Sequence, residues 1–217
     1  MRQALIASGI AISLSACSWN KAPPAFSASG YVADQGVVRI WRQDDDRQRP
    51  RVLMAVYSPY RGAGTTMTHY EYQNGVLWQI KRTSIDSDKD AIQLRFADDG
   101  SVSFMQRQLA TRREQLSADD IARYSYQARR VLALSDALRV GKVQLLQGRW
   151  QQGMVQTCAG KRINPGLNRS SIAWIERREK NSRGPLSIAW LDAPEGRELL
   201  LVANEDFCHW EPKEGSL

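Results

Sequence analysis

A β-hairpin is predicted most clearly by residues 66–84, which read TMTHYEYQNGVLWQIKRTS. Thr, Tyr, Val, Ile and Trp fill both arms, and these residue types are enriched in strands. Asn74-Gly75 separates the arms and supplies the positive φ angles that a two-residue hairpin turn requires. This stretch therefore predicts two antiparallel strands joined by a tight turn.

Strand patterns continue on both sides of this hairpin. Residues 91–108 alternate apolar and polar side chains around a turn at Asp98-Asp99-Gly100. This pattern predicts a second hairpin with one buried and one solvent-exposed face. Upstream, residues 37–42 and 51–57 predict two more strands. Downstream, five short segments predict strands at residues 143–146, 154–158, 171–177, 186–191 and 198–203.

One long helix is predicted between the two groups of strands. Ser117 suits the N-cap, and Asp119 and Asp120 suit the positive end of the helix dipole. Apolar residues then recur at helical spacing up to Gly141, which ends the pattern. A helix with one apolar stripe is expected to lie across a sheet.

These elements predict a mainly β (α+β) fold. We expect an antiparallel, curved sheet with one long helix near residues 117–140 packed on it, followed by a second group of strands. The domain is expected to cover residues 30–212, with a division into subdomains 30–116 and 142–210 as the alternative.

The N-terminus has the features of a bacterial lipoprotein signal. Arg2 is followed by an uncharged, largely apolar run from Ala4 to Leu14, which is too short to cross a bilayer. Leu14-Ser15-Ala16-Cys17 then resembles a lipobox. The resemblance implies that residues 1–16 are removed and that lipid is attached to Cys17.

Residues 17–29 contain Pro23-Pro24 with several Ala and Ser residues, and they predict an extended tether between the lipid and the domain. Ser18 follows the lipidated cysteine where lipoproteins kept at the inner membrane usually have aspartate. We therefore expect a location at the periplasmic face of the outer membrane.

Two cysteines remain besides Cys17. Cys158 and Cys208 form an even pair, and disulfides persist in an oxidising compartment. We expect a disulfide between them, with Cys208 and His209 as a reactive or metal-binding pair as the alternative.

The basic composition limits the classes of partner. The formal net charge is +7, and it falls to +6 once Arg2 leaves with the signal segment. This excess favours anionic surfaces of the envelope, and an exported location argues against nucleic acid. Membrane lipid, an envelope protein, peptidoglycan or lipopolysaccharide are the expected partners.

The sequence does not predict an enzyme. It holds two histidines, His69 and His209, and it lacks a nucleophile elbow, a phosphate-binding loop and the spacing of a calcium loop. We expect no catalytic residue, no cofactor and no metal site. Arg39, Arg42 and Arg51 lie in the densest cluster of arginines and are the candidate anion-binding residues.

Three stretches resemble the YjaH-like family of uncharacterised bacterial lipoproteins. They are GYVADQGVVRIWR at residues 30–42, SFMQR at residues 103–107, and AWLDAPEG with LLLVAN and FC between residues 189 and 208. The resemblance spreads over nearly the whole chain after residue 29. It implies a lipoprotein with no assigned activity and no catalytic residues to transfer.

The expected function is therefore a membrane-anchored envelope lipoprotein that binds a partner or has a structural role. The alternative is a carrier that holds a hydrophobic ligand in a cavity between sheet and helix. Seven tryptophans, four of them in strand patterns (Trp41, Trp78, Trp174 and Trp190), fit either a packed core or an aromatic groove.

Overall fold

The first sheet is an antiparallel meander of eight strands in chain order. The computed structural model describes residues 22–62, 64–85 and 90–217. Asn74 and Gly75 have φ angles of 53° and 83° in the turn between the fourth and fifth strands, which confirms the predicted hairpin. The strands are β1 (Phe26–Ala33), β2 (Gly36–Asp44), β3 (Pro50–Pro59), β4 (Thr66–Gln73), β5 (Val76–Ser84), β6 (Asp90–Phe96), β7 (Val102–Leu109) and β8 (Arg113–Glu114).

The first helix, α1 (Ala118–Val140), packs on one face of this sheet. Ser117 accepts a hydrogen bond from the backbone N–H of Asp120 at the N-terminus, and Gly141 is the C-cap, as the sequence predicts. Twenty-three residues make a helix about 34 Å long, and α1 contacts both β1 and β5. The predicted antiparallel sheet with one long helix packed on it is therefore confirmed.

A second antiparallel sheet follows α1, as the sequence predicts, in the strand order β11-β10-β9-β12-β13. The central strand β9 pairs with β10 on one side and with β12 on the other. Its strands are β9 (Gln144–Gln151), β10 (Met154–Thr157), β11 (Arg162–Ile163), β12 (Ser187–Ala193) and β13 (Gly196–Ala203).

The strand predicted at residues 171–177 is wrong, because these residues lie in a second helix, α2 (Arg169–Lys180). The Asn168 side chain caps α2 by accepting a hydrogen bond from the backbone N–H of Ser171. Ile172 and Ile175 face the second sheet at helical spacing, and Ile175 is fully buried. Packing on the sheet therefore decides the conformation of a short segment whose apolar pattern suits either structure.

The two sheets and two helices form layers. The face of β2 and β3 that is turned away from α1 contributes Val37, Trp41, Met54 and Val56 to a shared core with the second sheet. The opposite face of the second sheet packs against α2. The order is therefore α1, first sheet, second sheet, α2.

The chain enters the first sheet earlier than predicted. Strand β1 begins at Phe26 and pairs with β2, and Ser29 is buried. The predicted tether, residues 17–29, therefore gives its last four residues to the sheet. Cys17 and the predicted signal segment, residues 1–16, lie outside the described residues. Neither helix of the described part of the chain is long and apolar enough to cross a membrane.

Candidate functional site

The two remaining cysteines form a disulfide, which confirms the predicted pair. The Cα atoms of Cys158 and Cys208 are 5.0 Å apart. The bond joins the end of β10 to a short 3₁₀ helix, Phe207–His209, near the C-terminus. It therefore fastens the C-terminal segment to the second sheet, and this segment contributes Phe207 and Trp210 to the core between the sheets.

Arg39 lies in this core and is fully buried. Its Nη1 donates to Gln147 Oε1 of the second sheet at 3.1 Å, and its Nη2 donates to Ser58 Oγ of β3 at 2.8 Å. The guanidinium carbon lies 4.3 Å from the ring centroid of Phe207 and 4.5 Å from that of Trp210. Arg39 therefore connects both sheets and the C-terminal segment.

The charge of Arg39 is balanced at a distance rather than by a direct ion pair. Burial lowers the pKa of Arg39 to about 10, and the charges of Glu205 and Glu211 oppose this shift. Burial also raises the pKa of Glu211, against the opposing effects of the Gln147 amide and the Arg39 charge. Glu205 accepts hydrogen bonds from Trp210 Nε1 at 2.8 Å and from Thr65 Oγ1 at 3.5 Å. These groups form a buried polar cluster beneath the C-terminal segment.

Arg42 is on the opposite face of β2, and its guanidinium forms ion pairs with carboxylates. Its Nε donates to Asp44 Oδ1 at 2.6 Å, and its Nη1 pairs with Asp136 of α1. Arg139 of α1 pairs with the other Asp44 oxygen at 2.8 Å. Burial alone would lower the pKa of Arg42, but the hydrogen bonds to Asp44 and Asp136 raise it. This network fastens the end of α1 to β2.

The structure does not bring the three predicted anion-binding arginines together. Arg39 and Arg42 point to opposite faces of β2, because their separation of three residues reverses the side-chain direction in a strand. Arg51 is exposed near the start of β3. Two of these side chains are buried and already bonded inside the protein, so Arg39, Arg42 and Arg51 do not form one anion site.

A surface groove lies where the chain enters the domain. It has a volume of about 750 Å³ and is bounded by residues 22–28 on one side and by residues 139–145 on the other. Phe26, Val143 and Leu145 supply apolar contacts. Lys142 lies at its exposed rim, and so does Val140, which is 82% exposed.

The two histidines lie on different elements, His69 on β4 and His209 on the 3₁₀ helix. Burial lowers the pKa of His69, while the Glu71 charge opposes the shift. His209 is exposed beside the disulfide. Across residues 22–62, 64–85 and 90–217, we find no group of three His, Cys, Asp or Glu side chains that could hold a metal ion.

Comparison with known proteins identifies the family. The family model described as "Protein of unknown function (DUF1481)" matches residues 28–213. The chain belongs to this family. The DUF1481 match includes Arg39, the disulfide and α2. A similar protein is the "Uncharacterized protein YjaH" of Escherichia coli (strain K12), which is 46% identical over 215 residues, or 98% of this chain and 92% of that protein. No solved structure matches the chain.

Proposed function

We propose that this chain is a lipid-anchored protein of the bacterial envelope. Cys17 carries the lipid, and the domain that follows is a non-enzymatic binding module at the periplasmic face of the outer membrane. The observation that carries the proposal is Leu14-Ser15-Ala16-Cys17 at the end of a short apolar run. One acyl chain binds a membrane only marginally, whereas two or more hold a protein there stably.

The disulfide supports export. Cys158 and Cys208 are joined, so Cys17 is the one cysteine of the sequence outside this bond. Disulfides persist in oxidising compartments such as the bacterial periplasm and are rare in the cytosol. The pairing fits a chain in which two cysteines stabilise the domain and the third carries the anchor.

The groove supports a binding role close to the membrane. Ala22 lines the groove and lies five residues after Cys17, and five extended residues span at most about 18 Å. The groove is therefore held within this distance of the point of lipid attachment. Membrane lipid, an envelope protein, peptidoglycan and lipopolysaccharide are the partners that this location makes accessible.

The test is partition between a detergent phase and an aqueous phase after extraction of whole cells. We expect the natural protein in the detergent phase and Cys17→Ala in the aqueous phase. Ser18→Ala is the matched control, since it changes the neighbouring residue and keeps the thiol. A Cys17→Ala protein that stays in the detergent phase with the same electrophoretic mobility as the natural protein would refute lipidation at this residue.

Sorting has a separate test. We expect the natural protein to sediment with outer membranes in a density gradient and Ser18→Asp to move toward inner membranes. Natural protein found in the inner membrane would refute the outer-membrane location and leave lipidation itself intact.

A carrier of a hydrophobic ligand is the second candidate, and the groove is the observation that favours it. Its volume of about 750 Å³ lies within the range of small-molecule sites, roughly 300–1,000 Å³. The space between the first sheet and α1 is filled by buried side chains such as Leu53, Tyr70 and Ile80. A ligand would therefore bind in the groove and not between sheet and helix.

Binding of an environment-sensitive apolar dye to the delipidated protein tests this candidate. Val143→Trp should fill the groove and abolish dye binding, whereas Val102→Trp, on the first sheet, should leave it unchanged. Equal dye binding by both variants would contradict a ligand site in the groove.

A further inference from the structure

The positive charge of the protein is concentrated on and around α2. Residues 161–184 contain seven Lys or Arg and two Glu, a net charge of +5 within a chain whose net charge is +7. All seven cations are exposed. The seven cations are Lys161, Arg162, Arg169, Arg177, Arg178, Lys180 and Arg183. We call these seven residues, together with Trp174, the α2 surface.

These cations have no carboxylate partner within the described parts of the chain. Other arginines of the protein, such as Arg42, Arg107 and Arg139, form ion pairs. Arg178 contacts only a neutral acceptor, Asn204 Oδ1, at 3.4 Å. Glu179 is held by a hydrogen bond from Trp150 Nε1 at 3.1 Å. The folded domain therefore does not use this charge to hold itself together.

Trp174 is exposed in the middle of this charge. It is 46% exposed, whereas Trp41, Trp150 and Trp190 are each at most 3% exposed. Ile175 is fully buried against the second sheet, and one residue along a helix turns the side chain by about 100°. Trp174 therefore points away from the core, with Arg177 and Arg178 one turn further along the same helix.

The α2 surface begins at the same end of the second sheet as the groove. Asp192 of β12 pairs with Gln144, which lines the groove. Arg197 of β13, which pairs with Asp192, donates to the backbone oxygen of Pro165, just before α2. The N-terminus of α2 and the entry of the chain into the domain therefore lie toward one end of the molecule.

We propose that the α2 surface binds the anionic phospholipid headgroups of the membrane to which the protein is anchored, with the Trp174 indole at headgroup depth. This inference rests on the proposed lipid anchor for its location. Lys and Arg near an anionic bilayer are attracted to its negative surface potential. Tryptophan prefers the boundary between water and lipid because its ring is apolar and its N–H is polar. Together, the cations and Trp174 place the α2 surface against the bilayer.

Vesicle sedimentation tests the inference without the anchor. The mature chain, residues 17–217 with Cys17→Ala, is mixed with vesicles of phosphatidylcholine containing increasing fractions of phosphatidylglycerol. We expect binding that rises with phosphatidylglycerol and falls with salt. Absence of binding to vesicles rich in phosphatidylglycerol would refute the inference, while the detergent-partition result for Cys17 would be unaffected.

Charge reversal locates the surface. Arg177→Glu/Arg178→Glu should weaken vesicle binding by about twenty-five-fold or more, since each lost cation contributes about fivefold and each new carboxylate is repelled by the anionic surface. Arg129→Glu/Arg130→Glu is the matched control, because these neighbouring arginines are exposed on α1 and the charge change is the same. We expect it to retain binding within about threefold. Equal losses in both variants would show an effect of net charge alone and would refute a site on α2.

Quenching by lipids brominated near the headgroup reports the depth of Trp174. We expect quenching of part of the tryptophan emission and its loss in Trp174→Phe. Unchanged quenching in Trp174→Phe would contradict insertion at this residue. Binding to soluble polyphosphate with no binding to vesicles would assign the surface to an acidic polymer and overturn the membrane proposal.

Discussion

The disulfide between Cys158 and Cys208 gives the prediction with the best-defined magnitude. The two cysteines are 50 residues apart in sequence. In the chain-entropy model, closing a loop of this length stabilises the folded state by about 4 kcal/mol, because the unfolded chain has fewer conformations. For a protein of 150–250 residues, this corresponds to a decrease in melting temperature of about 10 °C when the bond is absent.

The assay is thermal and urea unfolding of Cys158→Ser/Cys208→Ser in a Cys17→Ala background. Cys17→Ala alone is the matched control and should contain no free thiol in denaturant before reduction and two afterwards. The double variant should also show a steeper dependence of unfolding free energy on urea, because its unfolded chain is less compact.

The location of the bond makes a local effect measurable as well. The bond holds the segment that places Phe207 and Trp210 on Arg39, so loss of the bond should increase hydrogen exchange first in residues 205–211. A melting temperature within about 3 °C of the control would refute the reasoning. Two free thiols in the unreduced control would refute the bond itself.

Three further predictions concern the buried groups and a helix cap. Arg39→Ala should lower the free energy of unfolding by about 3 kcal/mol or more in urea, because it opens a cavity and removes both hydrogen bonds. Arg39→Met has a side chain of similar length and should lower the free energy of unfolding by less. Equal losses in the two variants would contradict this explanation. The pKa of Glu211 is raised by burial, so this carboxyl favours folding at low pH and its contribution is lost as pH rises from about 4.5 through the raised pKa. In thermal melts, Glu211→Gln should therefore gain stability relative to the natural protein between pH 4 and pH 7. A difference in melting temperature between the two proteins that does not change with pH would refute the raised pKa of Glu211. Ser117→Ala should cost about 1 kcal/mol in urea unfolding, because it removes the N-cap of α1, and an unchanged midpoint would contradict the cap.

The parts of the fold that depend on local signals could be predicted from the sequence. Ser117 and Gly141 mark the ends of α1 because capping is decided by the residue at the helix end. Asn74-Gly75 marks the hairpin because few residue pairs adopt two positive φ angles. Helix α2 could not be assigned in the same way. Its twelve residues carry two apolar positions toward the sheet, and contact with the second sheet decides between helix and strand.

The buried cluster could not be predicted because its members are distant in sequence. Arg39 donates to Gln147, which is 108 residues away, and to Ser58, which is 19 residues away. Nothing near Arg39 in the sequence shows that Phe207 and Trp210 cover it. The cysteine count did predict the bond that holds this segment. Pairing the two cysteines left after Cys17 in a chain proposed to be exported requires no knowledge of the fold. The exposure of Trp174 follows only once residues 169–180 are known to be a helix.

The most direct test of the central claim, a lipid anchor on Cys17, is the intact mass of the protein isolated from the envelope. We expect a chain that starts at Cys17, with the mass of residues 17–217 increased by a diacylglyceryl group and one further acyl chain, and with Cys158 and Cys208 oxidised. A chain that retains residues 1–16, or one that starts at Cys17 with an unmodified thiol, would contradict it.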